Sequence, residues 1–144
     1  MIFLSKSPSE TQKLGADFAK TLNRAVPIQI DLIGEIGAGK TTFVQGMAKG
    51  LGLPATVSSP TFTLVHQYDF LVHVDLYRID RPADLKTLGL EDYLAPGNIL
   101  VIEWGDKGED FKIGKKIEIR FEFVSGSERK IEIDLPDLPN NLRP

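Results

Sequence analysis

The chain has 144 residues, enough for one domain with a substantial core, and its 42% hydrophobic and 26% charged residues are ordinary for a globular protein. Its 17 basic and 20 acidic side chains give a net charge of -3, which excludes the overall basic footprint of a nucleic-acid-binding protein. The lack of cysteine excludes disulfides, thiolate metal sites and cysteine nucleophiles. No apolar run approaches the roughly 18 residues that span a bilayer, and no signal peptide is recognisable. We therefore expect a cytoplasmic protein without a membrane partner.

The chain begins with a short predicted strand, residues 2–4, and a helix with a clear start signal. Ser7 and Glu10 are spaced as a capping box, and Pro8 occupies the first helical position between them. Residues at helical spacing predict one buried stripe and an end near Asn23. The stripe consists of Thr11, Leu14, Phe18 and Leu22.

A glycine-rich loop between a strand and a helix is the most informative stretch of the sequence. Residues 27–33 are apolar except for Gln29 and Asp31, which is typical of a central parallel strand. Residues 34–41 then match the pattern Gly-x4-Gly-Lys-Ser/Thr, and a predicted helix, residues 42–51, follows them. This context of strand, loop and helix favours a phosphate-binding loop over an ordinary glycine-rich turn.

The physical reason for the pattern is the recognition of an anion. Glycines let backbone N–H groups curl around a phosphate without an intervening Cβ, and the N-terminus of the next helix adds its dipole. The pattern predicts that Lys40 reaches the β- and γ-phosphates of a nucleotide. It also predicts that the hydroxyl of Thr41 binds Mg2+.

Strands dominate the rest of the sequence. Residues 62–68 and 71–77 predict an antiparallel hairpin around Asp69 and Phe70, although this pair is an unusual two-residue turn. Alternation places Leu71, His73, Asp75 and Tyr77 on one face of the second strand, and Val72, Val74 and Leu76 on the other. The further predicted elements are a helix 81–88, a turn of helix 90–94, a strand 99–102 and a hairpin formed by 116–124 and 130–135.

Together these elements predict an α/β fold, a P-loop NTPase-like mixed β-sheet with flanking helices and a C-terminal antiparallel hairpin. We expect one ATPase domain over residues 1–144. Only the proline-rich tail, residues 136–144, is expected to be loosely ordered.

A phosphate loop needs a carboxylate from a second strand, because Mg2+ prefers oxygen ligands and keeps an ordered water shell. Glu103 directly follows the apolar residues 99–102, the position expected of a Walker B acid, so we assign it to the metal. Asp75 shares its strand face with His73 and Tyr77, so we assign it to hydrolysis or coupling. A solvated charge at a strand end is the alternative for each, and which of the two positions water stays open.

Four other side chains are candidates with competing explanations. His66 and His73 face each other if the hairpin register is right, but two ligands without a third fall short of a zinc site. Arg78 is either an anion clamp or a structural ion pair. Trp104 either stacks on the nucleotide or covers the end of its strand.

Four segments resemble the TsaE family, the small bacterial ATPase required for threonylcarbamoyladenosine modification of tRNA. They are the phosphate loop 34–42, Ser-Pro-Thr-Phe-Thr-Leu at 59–64, His-Val-Asp-Leu-Tyr-Arg at 73–78 and Ile-Glu-Trp at 102–104. The resemblance covers about Thr11 to Arg129, and the segment at 73–78 is more specific than the phosphate loop. It implies an ATPase that resets or stimulates the complex of TsaD and TsaB between rounds of transfer to adenosine 37 of tRNA. The transfer itself is not its reaction, and any contact with tRNA is indirect.

The resemblance also implies roles for individual residues. Thr41 and Glu103 would hold Mg2+, Asp75 would be essential to hydrolysis, and residues 59–63 would form a switch-like loop. Thr11 would lie near the adenine, and Arg129 would make a C-terminal nucleotide contact. The phosphates would be held by Gly37, Ala38, Gly39, Lys40, Thr41 and Thr42.

Three other classes share the phosphate loop. A nucleotide or small-molecule kinase would need a basic lid, which the scattered arginines do not provide. A GTP-dependent switch would need an Asn-Lys-x-Asp-like guanine reader, which is absent from the sequence. A nucleotide-sensing adaptor without turnover stays open, because binding and hydrolysis use the same loop. We expect the protein to be a monomer when alone.

Overall fold

The structure is a computed structural model, and it describes residues 1–35, 37–53, 65–76, 88–93, 95–104 and 115–134. The helices are α1 Pro8–Lys20 and α2 Lys40–Gly50, with a 3-10 helix at Leu90–Tyr93. The strands are β1 Ile2–Ser5, β2 Ile28–Gly34, β3 Val65–Tyr68, β4 Leu71–Asp75, β5 Ile99–Trp104, β6 Lys115–Ser125 and β7 Glu128–Asp134. None of the helices in these ranges is long and apolar enough to cross a membrane.

The described strands form one mixed sheet in the order β1-β7-β6-β2-β5-β4-β3. The strand β2 lies at its centre and runs parallel to both β5 and β6, and β4 runs parallel to β5. The other neighbouring pairs are antiparallel. The predicted α/β class with a mixed sheet is therefore confirmed, and the carboxyl ends of β2, β4 and β5 meet at one edge.

Each face of the sheet carries its own apolar cluster. Alternate residues of β2 pack with α1 and α2 on one face, where Ile30, Leu32, Phe43 and Met47 are fully buried. The opposite face carries Val72, Val74, Leu76, Leu100 and Ile102, which pack against Leu90 of the 3-10 helix. The predicted alternation in β4 is confirmed, since Leu71 belongs to the first cluster and its neighbour Val72 to the second.

The two helices pack backbone against backbone. A Cβ added at Gly46 would overlap the carbonyl oxygen of Gln12, and one at Gly50 would overlap that of Ala16. In the other direction, a Cβ at Gly15 would overlap the carbonyl oxygen of Phe43. Sequence reasoning did not anticipate this packing, although glycines inside two helical patterns were a signal for it.

The start of α1 was predicted correctly, and its end was not. Ser7 is the N-cap, and its Oγ accepts a hydrogen bond from the backbone N–H of Glu10 at 3.1 Å. The Glu10 carboxylate accepts from the N–H of Lys6 at 2.7 Å, rather than from the cap residue itself. The helix ends at Lys20 and not near Asn23, because the Thr21 hydroxyl donates to the carbonyl of Phe18 at 2.7 Å and closes the last turn.

Both hairpins form as predicted. The pair β3 and β4 is antiparallel, and Asp69 takes the unusual turn with a positive φ of 56°. The pair β6 and β7 is also antiparallel. Most of the predicted helix 81–88, most of the loop 53–60, and the tail 136–144 lie outside the described residues.

Candidate functional site

The glycine-rich loop leaves the carboxyl end of β2 and leads directly into α2. Gly39 is the N-cap of α2, with a φ of 102° that side-chain-bearing residues rarely adopt, and it provides no side-chain cap for the first turn. A Cβ at Gly34 would lie 2.6 Å from the carbonyl oxygen of Phe121 on β6. The N-terminal N–H groups of α2 therefore lack a side-chain cap, which is the arrangement that binds an anion.

Lys40 is the first residue of α2 and is only 8% exposed. Its Nζ donates hydrogen bonds to two carbonyl oxygens of the loop, Gly34 at 2.5 Å and Glu35 at 2.9 Å. Burial lowers the pKa of Lys40, and the nearby carboxylates of Glu103, Asp75 and Glu35 oppose that effect. A partly desolvated ammonium held against the loop is well suited to attract phosphate charge.

Thr41 and Glu103 come together beside Lys40, as the predicted metal assignment requires. The Thr41 hydroxyl donates a hydrogen bond to Oε1 of Glu103 at 3.2 Å, and Glu103 is 5% exposed. Both side chains offer oxygen atoms, the ligands that Mg2+ prefers. Because the hydroxyl donates its hydrogen to the carboxylate, its lone pairs are left for a cation. The residues present therefore fit Mg2+.

Asp75 lies at the end of β4, directly opposite Glu103 in the parallel register of β4 and β5. It is half-buried, and its charge acts on Lys40. The two predicted carboxylates are thus adjacent at the edge where the phosphate loop begins. Neighbouring like charges at a nucleotide site are favourable only when a cation lies near them.

The contact between His73 and Glu103 was not predicted from the sequence. His73 is completely buried on β4, and its Nε2 lies 2.9 Å from Oε1 of Glu103. The register pairs His73 with His66, as predicted, but Nδ1 of His66 is hydrogen-bonded to the hydroxyl of Tyr68 at 3.2 Å. The signal for His73 was its place on the same strand face as Asp75.

Thr11 lies next to the loop, at the start of α1. It is 2% exposed, its Oγ1 is 2.7 Å from Oγ of Ser5, and a Cβ built on Gly39 would lie 3.8 Å from its methyl carbon. The close packing of α1 on α2 holds it there. The structure therefore brings Thr11 to the phosphate loop, which is compatible with the role that the resemblance implies.

Arg129 reaches the loop from the C-terminal hairpin. Its guanidinium donates to the carbonyl of Gly37 at 3.2 Å, and its central carbon lies 4.7 Å from the ring centre of Phe123. Trp104 ends β5 next to Glu103, but the side chain of Trp104 is not among the described parts of the structure. The same holds for two other predictions, Arg78 and residues 59–63. The remaining predicted phosphate contacts, Ala38 and Thr42, belong to the loop and to the first turn of α2.

Comparison with known proteins identifies the family. A sequence model described as "Threonylcarbamoyl adenosine biosynthesis protein TsaE" matches residues 5–131. The chain belongs to the TsaE family. It is 35% identical to the tRNA threonylcarbamoyladenosine biosynthesis protein TsaE of Haemophilus influenzae, over 84% of this chain and 80% of that protein. It is 37% identical to the protein of that name from Aquifex aeolicus, over 89% of this chain and 91% of the relative.

The fold of this TsaE family member agrees with a solved structure. The crystal structure of Bacillus subtilis YdiB superposes with a TM-score of 0.72 at 29% sequence identity, covering 91% of this chain and 82% of YdiB. The described sheet, the phosphate loop and both helices thus belong to a known architecture.

Proposed function

We propose that this TsaE family member is an Mg2+-dependent ATPase that serves the biosynthesis of threonylcarbamoyladenosine in tRNA. It binds and hydrolyses ATP to support the complex of TsaD and TsaB, and the transfer to adenosine 37 is not its own reaction. Its contact with tRNA is indirect, and it works in the cytoplasm as a monomer until it meets its partners. The names of its relatives support the pathway.

One observation carries the ATPase part of this proposal: the hydrogen bond between Thr41 and Glu103. It joins the first turn of α2 to the end of β5 at the mouth of the phosphate loop. A loop that only closed a turn would not need a buried carboxylate beside it, since burying a charge is costly. The pair supports a site for the divalent cation that accompanies a nucleoside triphosphate.

In this proposal each side chain near the loop has its own role. Lys40 and the backbone N–H groups of residues 37–42 bind the β- and γ-phosphates, and Thr11 and Arg129 contact the rest of the nucleotide. Asp75 orients the attacking water or couples hydrolysis to the partner. When bound, Mg2+ supplies positive charge to the phosphate oxygens and shields the two carboxylates from each other. Trp104 contributes to the nucleotide site from the end of β5.

Hydrolysis is expected to be slow until the partners bind. In the part of the chain that the structure describes, Arg24 bonds the carbonyl of Gly97, Arg120 bonds Glu118 and Arg129 bonds a loop carbonyl, so none of them is an evident arginine finger. Such a finger can contribute roughly 1000-fold or more to turnover, so a partner that supplies or orders one would accelerate the reaction.

Steady-state ATP turnover, with and without TsaD and TsaB, tests the proposal. Wild-type protein should be slow alone and faster with both partners, and Lys40→Ala should abolish turnover while the fold is retained. Lys49→Ala is the matched control, because Lys49 lies in the same helix, is exposed and bonds Gln12 away from the loop. Unchanged turnover in Lys40→Ala, or a fast rate indifferent to the partners, would contradict the proposal. ATP binding without turnover in every mixture would identify an adaptor instead.

A further inference from the structure

The contact between His73 and Glu103 joins two neighbouring parallel strands. His73 lies opposite Val101 in the register of β4 and β5, so Glu103 is two residues further along β5 on the same face. The hydrogen bond therefore runs diagonally between the strands, with 2.9 Å between Nε2 and Oε1. Both side chains are buried, with exposures of 0% for His73 and 5% for Glu103.

A single carboxylate oxygen receives hydrogen bonds from two different elements. Oε1 of Glu103 accepts from Thr41 on α2 and lies within hydrogen-bond distance of His73 on β4. A glutamate side chain has three rotatable bonds, and one contact at 3.2 Å does not fix them. Two contacts to the same oxygen, from two different elements of the fold, restrict the direction of the carboxylate much more strongly.

The second nitrogen of His73 shows that the bond to Glu103 is its main polar interaction. A carboxylate oxygen accepts hydrogen bonds, so Nε2 carries a hydrogen and donates it to Oε1 of Glu103. Nδ1 is buried and has no hydrogen-bond partner in the part of the chain that the structure describes. Leaving a buried polar atom without a hydrogen bond is costly. An apolar side chain, such as Leu71 on the same face, would avoid that cost.

We propose that His73 is a positioning residue for Glu103, and this inference rests on the proposed function. The Nε2–H group holds Oε1 of Glu103 toward the hydroxyl of Thr41 before a divalent cation arrives. The metal site is therefore preformed by the sheet, and the cation does not have to organise it. Side chains that hydrogen-bond to metal ligands commonly contribute about 10- to 100-fold to metal affinity.

Calorimetric titration with AMP-PNP, a non-hydrolysable ATP analogue, in Mg2+ and in EDTA tests the inference. The measured quantity is the ratio of the two affinities. We expect His73→Leu to lower this ratio about tenfold while the affinity in EDTA is unchanged. His73→Gln should keep most of the ratio, since its amide nitrogen can replace Nε2, and His73→Asn should not, because its amide is shorter. A merely structural role would not separate Gln from Asn in this ratio.

A double-variant cycle ties the effect to Glu103. In the Glu103→Gln background, His73→Asn should cause no further loss of the Mg2+-dependent affinity, because the group it positions is gone. Equal ratios in wild-type, His73→Gln and His73→Asn proteins would overturn the inference and leave the proposed function intact. Wild-type protein that binds no AMP-PNP would overturn the proposed function itself. Thermal unfolding of each variant shows which proteins are folded. If His73→Leu does not fold, the comparison of His73→Gln with His73→Asn still tests the inference.

Discussion

Two buried carboxylates on neighbouring central strands, Asp31 and Glu103, have different kinds of polar partner. Asp31 of β2 is 1% exposed, and its two oxygens lie 2.9 Å from Nε2 of Gln29 and 3.1 Å from Nζ of Lys116. Glu103 of β5 is 5% exposed, and its nearest donors are the Thr41 hydroxyl and the imidazole of His73. One carboxylate has an ammonium as its partner, and the other does not.

On the proposed function, the difference distinguishes a structural charge, that of Asp31, from a metal-binding one, that of Glu103. Burial acts to lower the pKa of Lys116, but the carboxylates of Asp31 and Glu118 outweigh it, so the pKa of Lys116 is raised. Asp31 therefore has the ammonium of Lys116 as a charged partner. The ammonium of Lys40 interacts electrostatically with Glu103 but donates its hydrogen bonds to carbonyls of its own loop. On the proposed function, the carboxylate of Glu103 is the one that meets a cation.

The strongest test of this contrast removes the carboxylates of the candidate site. Glu103→Ala should lose about 10- to 100-fold of the Mg2+-dependent nucleotide affinity. Asp75→Ala should keep that affinity and lower turnover about 100-fold or more, as expected for a residue that orients water. Calorimetry with and without Mg2+, together with turnover, measures both. If Asp75→Ala loses the metal-dependent affinity and Glu103→Ala retains it, the two roles are reversed.

For Asp31, the other carboxylate of the comparison, we expect an effect on stability. Lys116→Met removes the ammonium beside the buried Asp31, and should lower the free energy of unfolding by about 3 kcal/mol. Denaturant titration measures this loss. Nucleotide affinity should be unchanged, because Gln29, Asp31 and Lys116 lie on the face opposite to α1 and α2.

The matched control for Lys116→Met neutralises both charges. Asp31→Asn combined with Lys116→Met keeps an acceptor for Gln29 and removes the buried carboxylate charge together with the ammonium, so it should regain most of the lost stability. A large loss of nucleotide affinity in either protein would show that Asp31 is not purely structural.

The smallest expected effect is a change in fluorescence. Trp104 is the only tryptophan in the chain and follows Glu103, so it reports on one of the two carboxylates and not on Asp31. Addition of ATP with Mg2+ should alter its emission, and ATP in EDTA should alter it less. The same titration on Lys116→Met should give the wild-type response. Identical emission with and without Mg2+ would mean that Trp104 only covers the end of its strand.

Local chemistry in the sequence was sufficient to predict the helix start at Ser7, the loop between β2 and α2 and the alternation in β4. It also directed attention to Asp75 and Glu103, because each ends a largely apolar strand, and the structure places the two side by side. Their roles stay predictions. Contacts between distant segments could not be predicted in the same way. The pairing of Asp31 with Lys116 depends on β2 lying between β5 and β6, and periodicity within one strand does not determine its neighbours in the sheet.

The same limit applies to His73. Its strand face was predicted, but its contact with Glu103 requires β4 to be parallel to β5 in a particular register. The hairpin alone allowed a different partner, His66, and directed attention to zinc. Side chains that support a site from an adjacent strand are thus harder to find from one sequence than the side chains that end the strands.

The glycine contacts between α1 and α2 have a mechanical consequence. Side chains between two helices can change rotamer and absorb a small sliding motion, whereas backbone atoms in direct contact cannot. At Gly15, Gly46 and Gly50 no side chain separates the two backbones. A displacement of α2 on nucleotide binding is therefore expected to move α1 as well. Because the Thr11 hydroxyl is bonded to Ser5, the first strand at the far edge of the sheet is mechanically linked to the phosphate loop.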